Sequence, residues 1–111
     1  QDLLLFDQLA KKPSDFPESS QVWVIYRETC PTCHALFRDQ FSVPLEGRRV
    51  VAVLVPAFPA LTPEQRALVE PIACAGCEHV SLPEGRSYSI ATPLVVRIES
   101  GKVVDVTRVR S

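Results

Sequence analysis

The stretch that decides the reading is Gln21-Val22-Trp23-Val24-Ile25-Tyr26-Arg27-Glu28-Thr29-Cys30-Pro31-Thr32-Cys33-His34. Val22 to Ile25 form a continuous apolar run of β-branched and aromatic residues, which predicts a strand covered on both faces. Glu28 and Thr29 lead out of it into two cysteines spaced Cys-x-x-Cys. Pro31 stands where a first helical turn tolerates it. Leu36, Phe37 and Phe41 continue a helical face to about residue 41, with the two Phe at i and i+4. Cys30 is thereby expected at a helix N-terminus. Unpaired backbone N–H groups and the helix dipole stabilise a thiolate there, and the thiolate is the reactive form of cysteine. Cys33, one turn on, can release whatever Cys30 captures.

Downstream, Pro44 and Gly47 break the chain, and Arg49 to Val55 form a second apolar strand. Thr62-Pro63-Glu64-Gln65 is a helix start, with Thr62 as N-cap, Pro63 at the first helical position and Gln65 in the capping-box position. Ala67, Leu68 and Ile72 mark its expected buried side, and Pro71 bends or ends it. Glu78 to Ile90 reads as a loop. Leu94–Ile98 and Lys102–Val109 read as strands joined by a tight turn at Ser100-Gly101. Upstream, Asp2 to Lys12 has helical spacing at Leu4, Leu5, Phe6 and Leu9, and residues 13 to 20 form a polar connection. The predicted class is α/β, a central mixed sheet flanked by helices in one domain over residues 1–111.

The order of these elements around the first pair resembles the thioredoxin superfamily. The strand at Val22–Tyr26, Cys30-Pro31-Thr32-Cys33, and Thr92-Pro93 before Leu94-Val95-Val96 carry the resemblance, which runs from about Gln21 to Val109. It implies a thiol–disulfide oxidoreductase with Cys30 attacking and Cys33 resolving. It also implies a cis Thr92-Pro93 bond facing the pair, with Thr92 and Pro93 as the platform for a substrate backbone. X-Pro statistics alone favour trans. Three departures stand out. Thr29 replaces a frequent aromatic, Val24 stands where many members have a buried acid, and the sequence stops at Ser111 before the family's usual last helix, which is either cut away or replaced by the N-terminal helix on that face. Glu28 is the candidate substitute proton relay. His34 reads as a helix-surface residue.

Cys74 and Cys77 flank Ala75-Gly76 at the expected end of the second helix, where the dipole has the wrong sign to activate a thiolate. Three readings stay open: a structural disulfide pinning the loop before Thr92, a second redox pair exchanging with the first, or a four-cysteine zinc site in which His34 or His79 replaces a thiolate. The separation of the pairs is long for a zinc ribbon. A further alternative is a thioredoxin-like binding module whose first disulfide is only structural.

The 111 residues carry 12 Lys plus Arg and 13 Asp plus Glu, a formal net charge of -1. No sign dominates, so nothing points to nucleic acid or another highly charged partner. The longest apolar run, Val50 to Ala60, is interrupted by Pro56 and Pro59 and falls short of a membrane span. Trp23 and Tyr26 read as core, and Arg48, Arg49, Arg108 and Arg110 as solvated strand-end charges. No Gly-x-Ser-x-Gly elbow and no Gly-rich phosphate loop occurs. The expected partners are protein thiols and disulfides together with a redox partner protein. No organic cofactor and no metal are called for, since a dithiol stores two electrons itself. Four cysteines and the absence of a starting Met suggest a mature exported chain, periplasmic for preference, with the cytoplasm as the alternative.

Overall fold

The computed structural model describes residues 20–43 and 47–108. The helix expected over Asp2–Lys12, Val109 and Arg110 lie outside them. Seven elements follow in order: β1 (Ser20–Tyr26), α1 (Pro31–Gln40), β2 (Arg49–Leu54), α2 (Pro63–Ala67), β3 (Glu78–Ser81), β4 (Leu94–Glu99) and β5 (Lys102–Arg108). The strands form one mixed sheet in the order β3-β2-β1-β4-β5. β1 runs parallel to β2 and β2 to β3, whereas β4 is antiparallel to both β1 and β5.

β1 is central, and the pleat sends its side chains alternately to the two faces. Val22, Val24 and Tyr26 join Cys33, Leu36 and Phe37 of α1 in one buried cluster. Trp23 and Ile25 face the other way, among Val51, Val53, Leu82, Val96 and Ile98, with Tyr88 and Ile90 packed against them. The buried Trp23 indole donates its N–H to Gln21 Oε1 at 2.8 Å, which accounts for a fully buried Gln21 two residues away on the same face. Trp23 and Tyr26 are thus core residues, as expected.

The β4–β5 turn places Ser100 and Gly101 at φ of 54° and 77°. Two consecutive left-handed residues match the right-handed twist of the hairpin strands. The register shifts between Arg97 and Ile98, and Val104 on β5 falls between their partners Asp105 and Val103.

Three expectations need correction. Glu78–Ser81, read as the start of a loop, forms the edge strand β3. Val80 is its one strongly apolar side chain and packs on the sheet core, while its neighbours are polar, so a four-residue edge strand leaves almost no hydrophobic signal. Arg49, read as a solvated charge, is half-buried and pairs with Glu78 of that strand. The second helix stops at Ala67 instead of reaching Ile72. The capping box at Thr62 and Gln65 forms as expected, but Leu68 is 83% exposed, so no apolar face holds a longer helix. Pro71 disfavours helical geometry at Glu70 as well. Ile72 alone of the expected buried side packs against the sheet cluster.

Candidate active site

The parallel strands end at the same edge of the sheet, and β4 begins there. Ile25, next to last in β1, pairs with Leu94, the first residue of β4. The β1–α1 turn and Thr92-Pro93 are thereby brought together from opposite halves of the chain.

Cys30 is the N-cap of α1, with φ -96° and ψ 107°, and its sulfur accepts the Cys33 N–H at 3.1 Å. Pro31 occupies the first turn, and that turn contains no acidic residue. The positive end of the helix therefore faces Cys30 Sγ with no carboxylate in its own first turn. Cys30 is half-buried and Cys33 is 0% exposed. The two are closed as a disulfide with Cα atoms 5.2 Å apart. Sequence reasoning placed both sulfurs here.

Thr92 O lies 4.0 Å from Cys30 Sγ, the Thr92-Pro93 bond is cis, and Pro93 is buried. The carbonyl expected to meet a substrate backbone is thus beside the outer sulfur. Val24 lies in the same cluster as Cys33, so the buried side of the pair is apolar.

Glu28 sits on the turn, but its carboxylate faces Arg66, which grips it with Nη1 at 3.1 Å and Nη2 at 3.2 Å. Its carbonyl accepts a hydrogen bond from His34 Nε2 at 2.8 Å. His34 is therefore more than a surface residue, since it folds back over the first turn and ties α1 to the turn before it. Arg27, which sequence reasoning did not single out, donates from Nη2 to Tyr88 O at 2.8 Å and Ile90 O at 3.0 Å. Nothing in the local sequence of Arg27, His34 or Arg66 names these partners, which come from elements brought together by the fold.

Burial, with the negative charge of Glu28 adding to it, raises the Tyr26 phenol above its ordinary 10.0. Ionisation is then disfavoured in the folded state. The associated stability is intact below pH 10 and is lost as pH rises through the folded value. Tyr26→Phe is expected to flatten the loss of stability above pH 10, as measured by urea unfolding. An unchanged alkaline limb would disprove the assignment to Tyr26.

Cys74 and Cys77 form the second disulfide, with Cα atoms 5.6 Å apart. They occupy the coil between α2 and β3, not a helix end, and Ala75 N donates to Phe41 O at 2.9 Å. Phe41 is the C-cap of α1. That bond ties the segment carrying the second pair to the C-terminal end of α1, and Cys74 and Cys77 pack against the same buried cluster as Cys33. Among the described residues no three His, Cys, Asp or Glu side chains gather in a metal-holding group, and no helix is long and apolar enough to cross a membrane.

A five-stranded mixed sheet, with a Cys-x-x-Cys pair opening the helix after its central strand and a cis proline opening the next antiparallel strand, gives the chain a thioredoxin-like α/β fold. The chain is similar to the solved structure of MTB dsbF, described in mixed oxidized and reduced forms. The TM-score is 0.66 at 16% sequence identity, covering 100% of this chain and 90% of that chain. No protein-family model and no curated protein matches the sequence.

Proposed function

We propose that this protein is a thiol–disulfide oxidoreductase that exchanges disulfides with protein substrates through Cys30 and Cys33. The observation that carries the reading is the Cys30 sulfur at the cap of α1, accepting a backbone N–H, with its partner buried one turn below. MTB dsbF, solved in mixed oxidized and reduced forms, has the same fold.

In the reducing direction, the Cys30 thiolate attacks one sulfur of a substrate disulfide. A mixed disulfide forms and the other substrate sulfur leaves as a thiolate. Cys33 then loses its proton and attacks Cys30 Sγ. The products are the Cys30–Cys33 disulfide and a substrate dithiol, and two electrons have moved to the substrate. Oxidation of a substrate dithiol is the same sequence reversed. Thr92 and Pro93 form the platform beside Cys30, with Thr92 O available to an extended substrate backbone. A separate redox protein resets the pair. An exported, oxidising compartment such as a periplasm fits a chain whose four cysteines fall in two Cys-x-x-Cys pairs.

Glu28 is the relay we assign to the Cys33 proton, acting through water because Arg66 holds its carboxylate. Glu28→Gln is expected to slow release of the mixed disulfide several-fold below pH 8 and to leave the first attack unchanged. Rapid-quench measurement of the two steps reads this, and equal rates for the variant and the parent in the second step refute the role.

Cys74–Cys77 is structural in this reading, closing the turn whose Ala75 N–H meets the end of α1 at Phe41 O. Replacing both by Ala is expected to cost about 2 kcal/mol, the loop-closure figure for so short a ring. Disulfide exchange should stay within about twofold. A large loss of turnover with stability intact would instead make it a second redox pair.

The deciding experiment for the function is turnover of a protein disulfide together with titration of Cys30. Exchange activity and a thiol pKa well below the free value of about 8.5 are expected. No turnover and an unshifted thiol would leave a binding module with a structural disulfide.

A further inference from the structure

We infer that Arg27 is a positioning residue that couples the nucleophile to the substrate platform; this rests on the oxidoreductase reading above. Arg27 follows directly on the last residue of β1, and its two ends face two different parts of the site. Its carbonyl accepts the Cys30 N–H at 3.2 Å, which closes the turn that presents the sulfur. The two hydrogens of its Nη2 go to Tyr88 O and Ile90 O, so the side chain holds the segment that runs into Thr92 two residues later. One residue therefore sets both Cys30 and the approach to Thr92, whose carbonyl is 4.0 Å from Cys30 Sγ.

The 82–91 segment needs such a tie. Its ends are anchored at the sheet, where Leu82 N donates to Leu54 O at 3.0 Å and Leu94 pairs with β1. Between them residues 83–87 are exposed, and Tyr88 and Ile90 are half-buried against the sheet core, a contact that does not orient their carbonyls toward the β1–α1 turn. Tyr88 OH donates to Pro83 O at 2.7 Å, a bond internal to the segment that does not fix it to the β1–α1 turn. Arg27 is half-buried, and its bonds to both carbonyls carry a full positive charge, which strengthens them. A cation with hydrogens in a fixed plane also sets direction, which a neutral or flexible donor does not.

A substrate that needs only Cys30 should be indifferent to this tie, whereas one that lies along Thr92 should depend on it. Arg27→Ala and Arg27→Lys are to be compared with the parent on a small disulfide, oxidised glutathione, and on a protein disulfide. For the protein disulfide, KM is expected to rise 5- to 20-fold in Arg27→Ala with kcat within twofold, and Arg27→Lys should recover part of the loss. The rate with oxidised glutathione should stay within twofold. Backbone 15N order parameters at residues 88–92 should fall in Arg27→Ala, with β1 and β2 unchanged. Equal losses on both disulfides, or unaltered order parameters at 88–92, would overturn the inference. If the parent shows no exchange with any disulfide, the functional reading falls, and the order parameters alone decide whether Arg27 holds the segment. If Arg27→Ala does not fold, Arg27→Lys carries the same comparison.

Discussion

Replacing Cys33 by Ser turns the protein into a trap, in which substrate accumulates as a mixed disulfide on Cys30 that only an added thiol releases. Cys30 keeps its place as N-cap, and the Cys33 backbone N–H that its sulfur accepts survives the substitution. The first attack therefore proceeds at close to the parental rate. The second cannot, because the buried group below now ends in a hydroxyl, which is no nucleophile for a disulfide at neutral pH. Release of captured protein should slow by about 10³-fold or more, as expected when one member of a paired catalytic unit is removed. Cys30→Ser should lose turnover to the same extent but capture nothing. Mass spectrometry of non-reduced adducts from the two variants distinguishes them. Equal capture by both, or adducts through Cys74 or Cys77, would place the reactive sulfur elsewhere.

The trap depends on features that were legible in the sequence and on others that were not. Val22 to Tyr26 announced a central strand by apolar content alone, because a strand covered on both faces has no polar alternation to confuse the reading. Pro31 and the Phe37/Phe41 spacing marked the helix, and these local signals placed Cys30 at its start. Thr92-Pro93 came from resemblance, since no local property of the residues brings them to Cys30. The edge strand β3 escaped because pairing on one side needs so little hydrophobic content. The second cysteine pair was misplaced through the helix before it. The capping box at Thr62 was real, but a start signal says nothing about length, and only burial of Leu68 would have carried α2 onward. The ties made by Arg27, His34 and Arg66 join positions 6 to 63 residues apart, and a long polar side chain carries no mark of its partner.

Phe37→Ala is expected to be among the most destabilising single substitutions in the described core, at about 3–5 kcal/mol. Phe37 is fully buried, on the helix face that meets Val22, Val24 and Tyr26 of β1. Its ring stands edge-on to Tyr26 with centroids 5.2 Å apart, and the tilted Phe41 ring lies 5.9 Å away. Removing it loses the transfer of a whole aromatic side chain and leaves a cavity that α1 cannot close, because the same helix is held at Cys30 and at the Phe41 cap. Against a domain stability of roughly 5–15 kcal/mol, that is a large share, equivalent to a fall in Tm of about 15 °C or more. Leu68→Ala, 83% exposed on the neighbouring element, should change stability by less than about 0.5 kcal/mol. Function should follow the same line, because Cys33 lies one turn above Phe37 on the same face. A loosened α1 exposes the resolving thiol, so in Phe37→Ala the reduced Cys33 should react faster with iodoacetamide than in the parent. Equilibrium urea unfolding and alkylation timed by mass spectrometry read the two effects. A cost below about 1 kcal/mol, or a Cys33 no more reactive than before, would mean that the face beneath the pair does not hold it in place.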